Sequence, residues 1–188
     1  MGMDTWEQQT EAARKQKDDF FGSHPQSPLP LNEQARFRGL DYWPPDPAYR
    51  YELELHEHSD RQAIEVADTG GRIRKLYRWG EFRFELAGRQ CVLQAYKSDP
   101  GGEEFFIPFR DATSGRESHG AGRYLDLGPD ARLPGGSRWV FDLNAAYNPW
   151  CAYSDAYACP LVPPENILDV PVRAGEKSYP LKSGEKAK

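Results

Sequence analysis

The sequence predicts a mainly β protein, an antiparallel β-barrel or sandwich with an N-terminal surface helix and a long irregular C-terminal segment. Three observations carry this. Between Tyr49 and Leu143, apolar and polar residues alternate in short runs, the period of a half-buried strand. The chain holds 17 Gly and 16 Pro, too many breakers for a helical bundle. Only 38% of its residues are apolar, yet these include 5 Trp, 10 Tyr and 9 Phe, so the core is built from few, large side chains. At 188 residues the chain is long enough to bury such a core. No composition shift marks a second domain, and residues 1–188 read as one.

Residues 4–21 read as a helix. Thr5 is its N-cap and Gln8 the capping-box partner three residues on. Trp6, Ala13 and Phe20 recur every seven residues and give one narrow apolar stripe on an otherwise charged helix. Gly22 and the proline-rich run after it end the helix, because proline cannot continue one. Residues 23–49 are punctuated by prolines and read as extended, with one short helical turn near Asn32–Phe37.

The β core spans residues 49–143. Tyr51, Leu53 and Leu55 alternate with charged neighbours, and Ile64 and Val66 suggest the next strand. Gly70-Gly71 makes a tight hairpin turn. Ile73, Lys75, Tyr77 and Trp79 then share one face, and after Gly80 the apolar face changes parity to Phe82, Phe84 and Leu86. A glycine at such a switch reads as a β-bulge. Further strands are expected at Cys91–Tyr96, Glu104–Pro108, Arg123–Leu127 and Trp139–Leu143. The polar tail Ser183–Lys188 is expected to be disordered.

Charge and composition exclude several functions. Net charge is −5, without the basic stripe of a nucleic-acid-binding domain, so no nucleic-acid partner is expected. No apolar run approaches the ~18 residues of a membrane span, and no secretory signal opens the chain. Three cysteines, an odd number, fit a reducing compartment better than a disulfide framework, and a cytoplasmic location is expected. His56 and His58 on one strand face could serve a metal, but with Glu52 and Glu54 beside them they read as a solvated face. No metal or cofactor is expected.

Two stretches break the alternation. The loop Phe109–Leu127 packs polar side chains around Gly115, Gly120 and Gly122, a pattern that presents backbone N–H groups to an anion or simply satisfies turn geometry. Residues 144–177 mix Asn, Tyr and Trp with five prolines and read equally as a binding surface or a packed loop. Their candidate ligand contacts are Arg110, Ser114, Arg123, Tyr124, Asn144, Tyr147 and Asn148, a mix of amides, cations and aromatic faces suited to a small polar or anionic ligand. A hydrolase is the alternative. It would use Cys151 or Ser114 as nucleophile with an acid or base among His119, Asp126 and Glu165. A third reading makes the polar blocks an interface, for example of a homodimer. Cys151 and Cys159 read as a buried free thiol pair.

The runs FRDATSG, GAGRYLDL, LNAAYNPWCAYSDAYACPLVPPEN and RAGEK resemble the bacterial and archaeal family called domain of unknown function 1684. DDFFGSHPQSPLP and FRGLDYWPPDPAYR resemble its N-terminal portion, so the likeness covers nearly the whole chain. The resemblance implies a single domain and draws attention to both polar blocks. It supplies no catalytic roles. The ligand reading requires the two blocks to meet.

Overall fold

The computed structural model describes residues 5–179; the expected tail at 183–188 lies outside them. Helix α1 runs Trp6–Ser23 and starts as its sequence dictates: Thr5 accepts from the Gln8 amide while the Gln8 side chain accepts from the Thr5 N–H. Its deepest residue is Phe21, off the Trp6–Ala13–Phe20 stripe, packed edge-on to Tyr153 at 4.8 Å and beside Leu29. The short helix α2 spans Leu31–Gln34.

Eight strands follow: β1 (Arg50–Glu54), β2 (His56–Glu57), β3 (Ala63–Ala67), β4 (Ile73–Leu86), β5 (Arg89–Lys97), β6 (Phe105–Phe109), β7 (Arg123–Leu127) and β8 (Arg138–Asp142). They form two antiparallel sheets. One is a ribbon of β1 and β8 in which Tyr51 faces Phe141 and Leu53 faces Trp139. The other has six strands in the order β2-β4-β5-β6-β7, with β3 also paired to β4. The expected mainly β, antiparallel fold with an N-terminal helix is present, and the sheets do not close into a barrel among the described residues.

The parity switch in β4 is a bulge. The β4–β5 register slips between Arg78 and Gly80, and a Cβ on Gly80 would sit 2.7 Å from the His56 carbonyl. Beyond the bulge Phe82, Phe84 and Leu86 are buried. Before it Leu76 is buried, while on the expected face Ile73 is 61% exposed and Trp79 packs against the main core.

The main core lies between the large sheet and the ribbon, and a third wall closes it. Leu168, Val170, Val172 and Ala174 alternate inward from an extended C-terminal strap that belongs to neither sheet. The strap runs beside residues 110–112: the Arg110 N–H donates to the Asn166 carbonyl at 3.0 Å, Leu168 donates to Arg110 at 2.8 Å and Ala112 to Val170 at 3.2 Å.

Asn166 solves a local problem. Pro108 stands in β6, a strand with neighbours on both sides, and proline cannot donate to a ladder. The β5–β6 pairing is accordingly reduced to Tyr96 opposite Phe106. The fully buried Asn166 amide fills the gap, accepting from Gln94 N–H at 2.7 Å and donating to the Gln94 and Pro108 carbonyls at 2.9 and 2.7 Å.

Candidate functional site

The two polar blocks meet, and an arginine pins them. Arg123, on β7, is completely buried. Its guanidinium donates to Asp111 at 2.8 Å and to the carbonyls of Val172, Ala174 and Glu176. Asp111 completes the joint by accepting from the Thr113 and Val172 amides. Burial lowers the Arg123 pKa, the adjacent Asp111 carboxylate opposing it. Every acceptor here is backbone or a buried carboxylate, so Arg123 holds the strap rather than facing a vacant site.

Beyond the pin the strap reaches a second buried charge. Gly175, at φ +75°, turns the chain where a Cβ would lie 2.4 Å from the Ala146 carbonyl. Glu176 then lies between residues 41–43 and 146–148, 1% exposed. Its carboxylate accepts from Lys17 of α1, from the Tyr153 hydroxyl and from the Asn148 amide at 2.9 Å. Lys17 thus fastens α1 to the strap.

Between α1, the ribbon and this junction opens a cleft of about 420 Å³. Trp6, Ala13, Val140, Ala145, Ala146 and Tyr147 give it apolar walls, and Arg14, Lys17, Arg50, Tyr42, Asp142 and Glu176 line its polar side. Lys17 is spent on Glu176, and Arg50 lies 3.6 Å from Asp142. Among the described residues Arg14 has no carboxylate partner: its guanidinium stacks on Tyr42 at 4.5 Å and donates to the Trp43 and Asn144 carbonyls. The lining therefore carries three cations against two carboxylates. Two of its buried donors, Arg14 Nε and Arg50 Nε, have no acceptor in hydrogen-bond geometry among the described residues. Burial, then the nearby Glu176 carboxylate, hold the Tyr42 phenol protonated far above its ordinary range. Burial pulls the Arg14 pKa down, against the field of its acidic neighbours.

Of the residues the sequence nominated as ligand contacts, Asn144 and Tyr147 line this cleft. The Asn144 side chain pairs with both backbone groups of Asp46 and with Asp142, so only its neighbourhood is available. Tyr147 donates to Asp126 and stands between the cleft and a shallower depression of about 450 Å³ that Tyr124 and Asp126 share. Tyr124 donates to the Pro160 carbonyl, and Asn148 to Lys177. The Arg110 side chain is exposed to solvent. Ser114 accepts from the Asp111 amide inside its own loop.

The nominated catalytic groups lie in separate bonds. Among the described residues no hydrogen bond joins His119 to Ser114 or Cys151, and burial depresses the His119 pKa. Asp126 accepts from Tyr147 and Glu165 from Tyr96, the latter at 2.9 Å. Burial raises the Asp126 pKa. Cys151 pairs with Cys159. His58 is engaged by Gln94 at 2.7 Å, and among the described residues no three His, Cys, Asp or Glu side chains gather as a metal site. No helix among the described residues is long and apolar enough to cross a membrane.

The cleft residues Arg14, Lys17, Tyr42 and Arg50 escaped the sequence reading. The charged side of α1 looked like a solvated face, and the available signal was only the i, i+3 spacing of Arg14 and Lys17, which puts both cations on one side of the helix.

Residues 35–177 match the family described as "Protein of unknown function (DUF1684)". The solution NMR structure of an uncharacterized protein of Haloarcula marismortui, a structural genomics target, is similar at 40% identity and a TM-score of 0.71, over 92% of this chain and 94% of that one. A search of curated proteins gives no match.

Proposed function

We propose that this chain, which belongs to the DUF1684 family, is a binding domain for a small monoanion with a flat apolar body, held in the cleft between α1 and the β1–β8 ribbon. The observation that carries the reading is Arg14, a cation without a carboxylate partner in a cleft that also holds buried donors lacking acceptors. A buried unpaired donor costs about 1–3 kcal/mol, which an incoming acceptor offsets. The excess cation selects a single negative charge, and a planar guanidinium matches a carboxylate or phosphate edge. Trp6, Val140 and Ala146 would cover the apolar body.

The sequence-level ligand set changes accordingly. Tyr147 and the backbone around Asn144 remain, while the charge moves from Arg110 and Arg123 to Arg14 and Arg50. Ligand-observed NMR with benzoate and benzenesulfonate, against benzamide and benzylamine as neutral and cationic controls, tests the reading. The anions are expected to bind and to lose at least about tenfold in affinity in Arg14→Met, one charge-assisted contact being worth about 1.5–3 kcal/mol. Arg14→Lys keeps the charge and is expected to bind with intermediate strength. Equal binding of benzamide, or unchanged benzoate binding in a folded Arg14→Met variant, would rule the proposal out.

A further inference from the structure

Away from the cleft, the loop after Trp150 brings two thiols into contact. Cys151 sits in a one-turn 3-10 helix, Trp150–Ala152, and Cys159 eight residues later returns beside it. The Cys151 backbone N–H donates to the Cys159 sulfur at 3.4 Å, which sets the two cysteines side by side. Edge-to-face packing of Trp150 on Tyr157, centroids 5.0 Å apart, closes the loop over them.

The surroundings are built from a different part of the chain. The hairpin turn between β3 and β4 pairs with this loop: the Thr69 amide donates to the Cys159 carbonyl at 2.9 Å, and the Cys159 amide donates to the Thr69 hydroxyl at 3.1 Å. The buried Asp68 carboxylate fixes Arg74 at 3.2 Å, and the Arg74 guanidinium donates to the Ala158 carbonyl at 2.9 Å. A cation, a hydroxyl and two thiols therefore converge at one end of the sheet. The hydrogen bond from Cys151, reinforced by backbone N–H groups of the turn and by Arg74, holds the Cys159 thiol down at about 6, while its partner is pushed up. With a backbone N–H aimed at its sulfur, Cys159 is the better placed of the two to carry the thiolate. Cys159 is only 9% exposed, which keeps a bulky disulfide out, while Cys151 beside it is half-buried.

We propose that Cys159 and Cys151 form a dithiol site that reduces a hydroperoxide, with Cys159 attacking and Cys151 resolving. The steps balance. The Cys159 thiolate attacks the terminal oxygen of ROOH; the S–O bond forms, the O–O bond breaks, and the alkoxide leaves to take a proton from water as ROH. The positive charge of Arg74 at this end of the sheet would favour the charge developing on the leaving oxygen. The Cys151 sulfur then attacks the sulfenic sulfur; the S–S bond forms, and hydroxide leaves with the Cys151 proton as water. Two thiols are oxidised and one peroxide is reduced. This chemistry makes no use of the anion cleft.

The test is a stoichiometric reaction of the full chain with hydrogen peroxide, followed by intact-mass and peptide analysis. The expected product has lost two hydrogens, carries a Cys151–Cys159 bridge, and forms on the order of tenfold faster than free cysteine is oxidised at pH 7, reflecting its larger thiolate fraction. In Cys151→Ser a sulfenic acid is expected at Cys159, trapped by dimedone. In Cys159→Ser no sulfenic acid is expected at Cys151. Wild type alone decides the matter if either variant fails to fold: a bridge involving Cys91, no bridge, or a rate no greater than that of free cysteine overturns the proposal.

Discussion

Replacing Arg123 with methionine keeps the stem and removes the guanidinium, and its cost can be worked from the contacts. Asp111 Oδ2 loses its one partner while remaining 1% exposed, and the Val172 and Ala174 carbonyls lose their donor. Breaking a buried ion pair from one side costs about 3–5 kcal/mol, because the stranded charge stays out of water. Taken from a domain stability of about 5–15 kcal/mol, that is a large share. With a urea m-value of about 2–3 kcal/mol/M, the unfolding midpoint is expected to fall by about 1.5 M. Equilibrium urea unfolding followed by circular dichroism measures it. Arg123→Lys retains one charge but lacks the fork that reaches three carbonyls, and is expected to recover only part of the loss. The double variant Asp111→Asn/Arg123→Met removes both charges and keeps an oxygen for the Thr113 and Val172 amides, so it is expected to be more stable than Arg123→Met alone, with a coupling of about 1–3 kcal/mol. A loss within about 0.5 kcal/mol, the size of a surface substitution, would refute the assignment of Arg123 as the pin of the strap.

Asn166→Ala strands the amide and carbonyl of Gln94 and the carbonyl of Pro108; a loss of about 3 kcal/mol is expected, with faster hydrogen exchange at the Gln94 amide as the local readout. Gly175→Ala forces a left-handed residue against the Ala146 carbonyl and is expected to cost at least about 1–2 kcal/mol from the backbone alone, read as a drop in Tm. His119 bears on pH. Its folded pKa is lowered by burial, so on acidification the unfolded chain takes up the proton first, and this contribution to stability, complete above the unfolded pKa of about 6.5, is lost as pH falls below it. His119→Gln is expected to flatten the stability profile between about pH 7 and 5, and an unchanged slope in urea titrations would count against it.

Much of the scaffold was legible because its signals are local. The Thr5–Gln8 capping box, the Gly70-Gly71 turn and the parity change at Gly80 each depend on a few neighbouring residues, and each appears in the structure. The strap was not legible, although Leu168, Val170, Val172 and Ala174 alternate. Pro171 interrupts the run and Pro163-Pro164 precede it, so the pattern reads as loop. Its real partners are side-chain groups of Asp111, Arg123 and the 110–112 backbone, distant in the chain. The same distance misled the reading of Arg123. An arginine between glycine-rich turns looks like an anion ligand until the three carbonyls and the carboxylate it binds are brought alongside. Arg14 and Arg50 show the converse, since their solvated-looking sequence context hides a cleft that exists only once α1 lies on the ribbon.

The strap also dictates an order of events during synthesis. The large sheet and the ribbon are complete once Asp142 has been made, yet the Phe82–Phe109–Phe141 core lacks its third wall until Leu168 to Ala174 arrive. At about 5–20 residues per second, a nascent chain therefore spends seconds with aromatic surface uncovered. Arg123 and Asp111, already translated, wait without the carbonyls that justify burying them. Arg123 thus joins the early sheet to carbonyls 49 to 53 residues further along the chain, and the core is closed only when that late segment is in place.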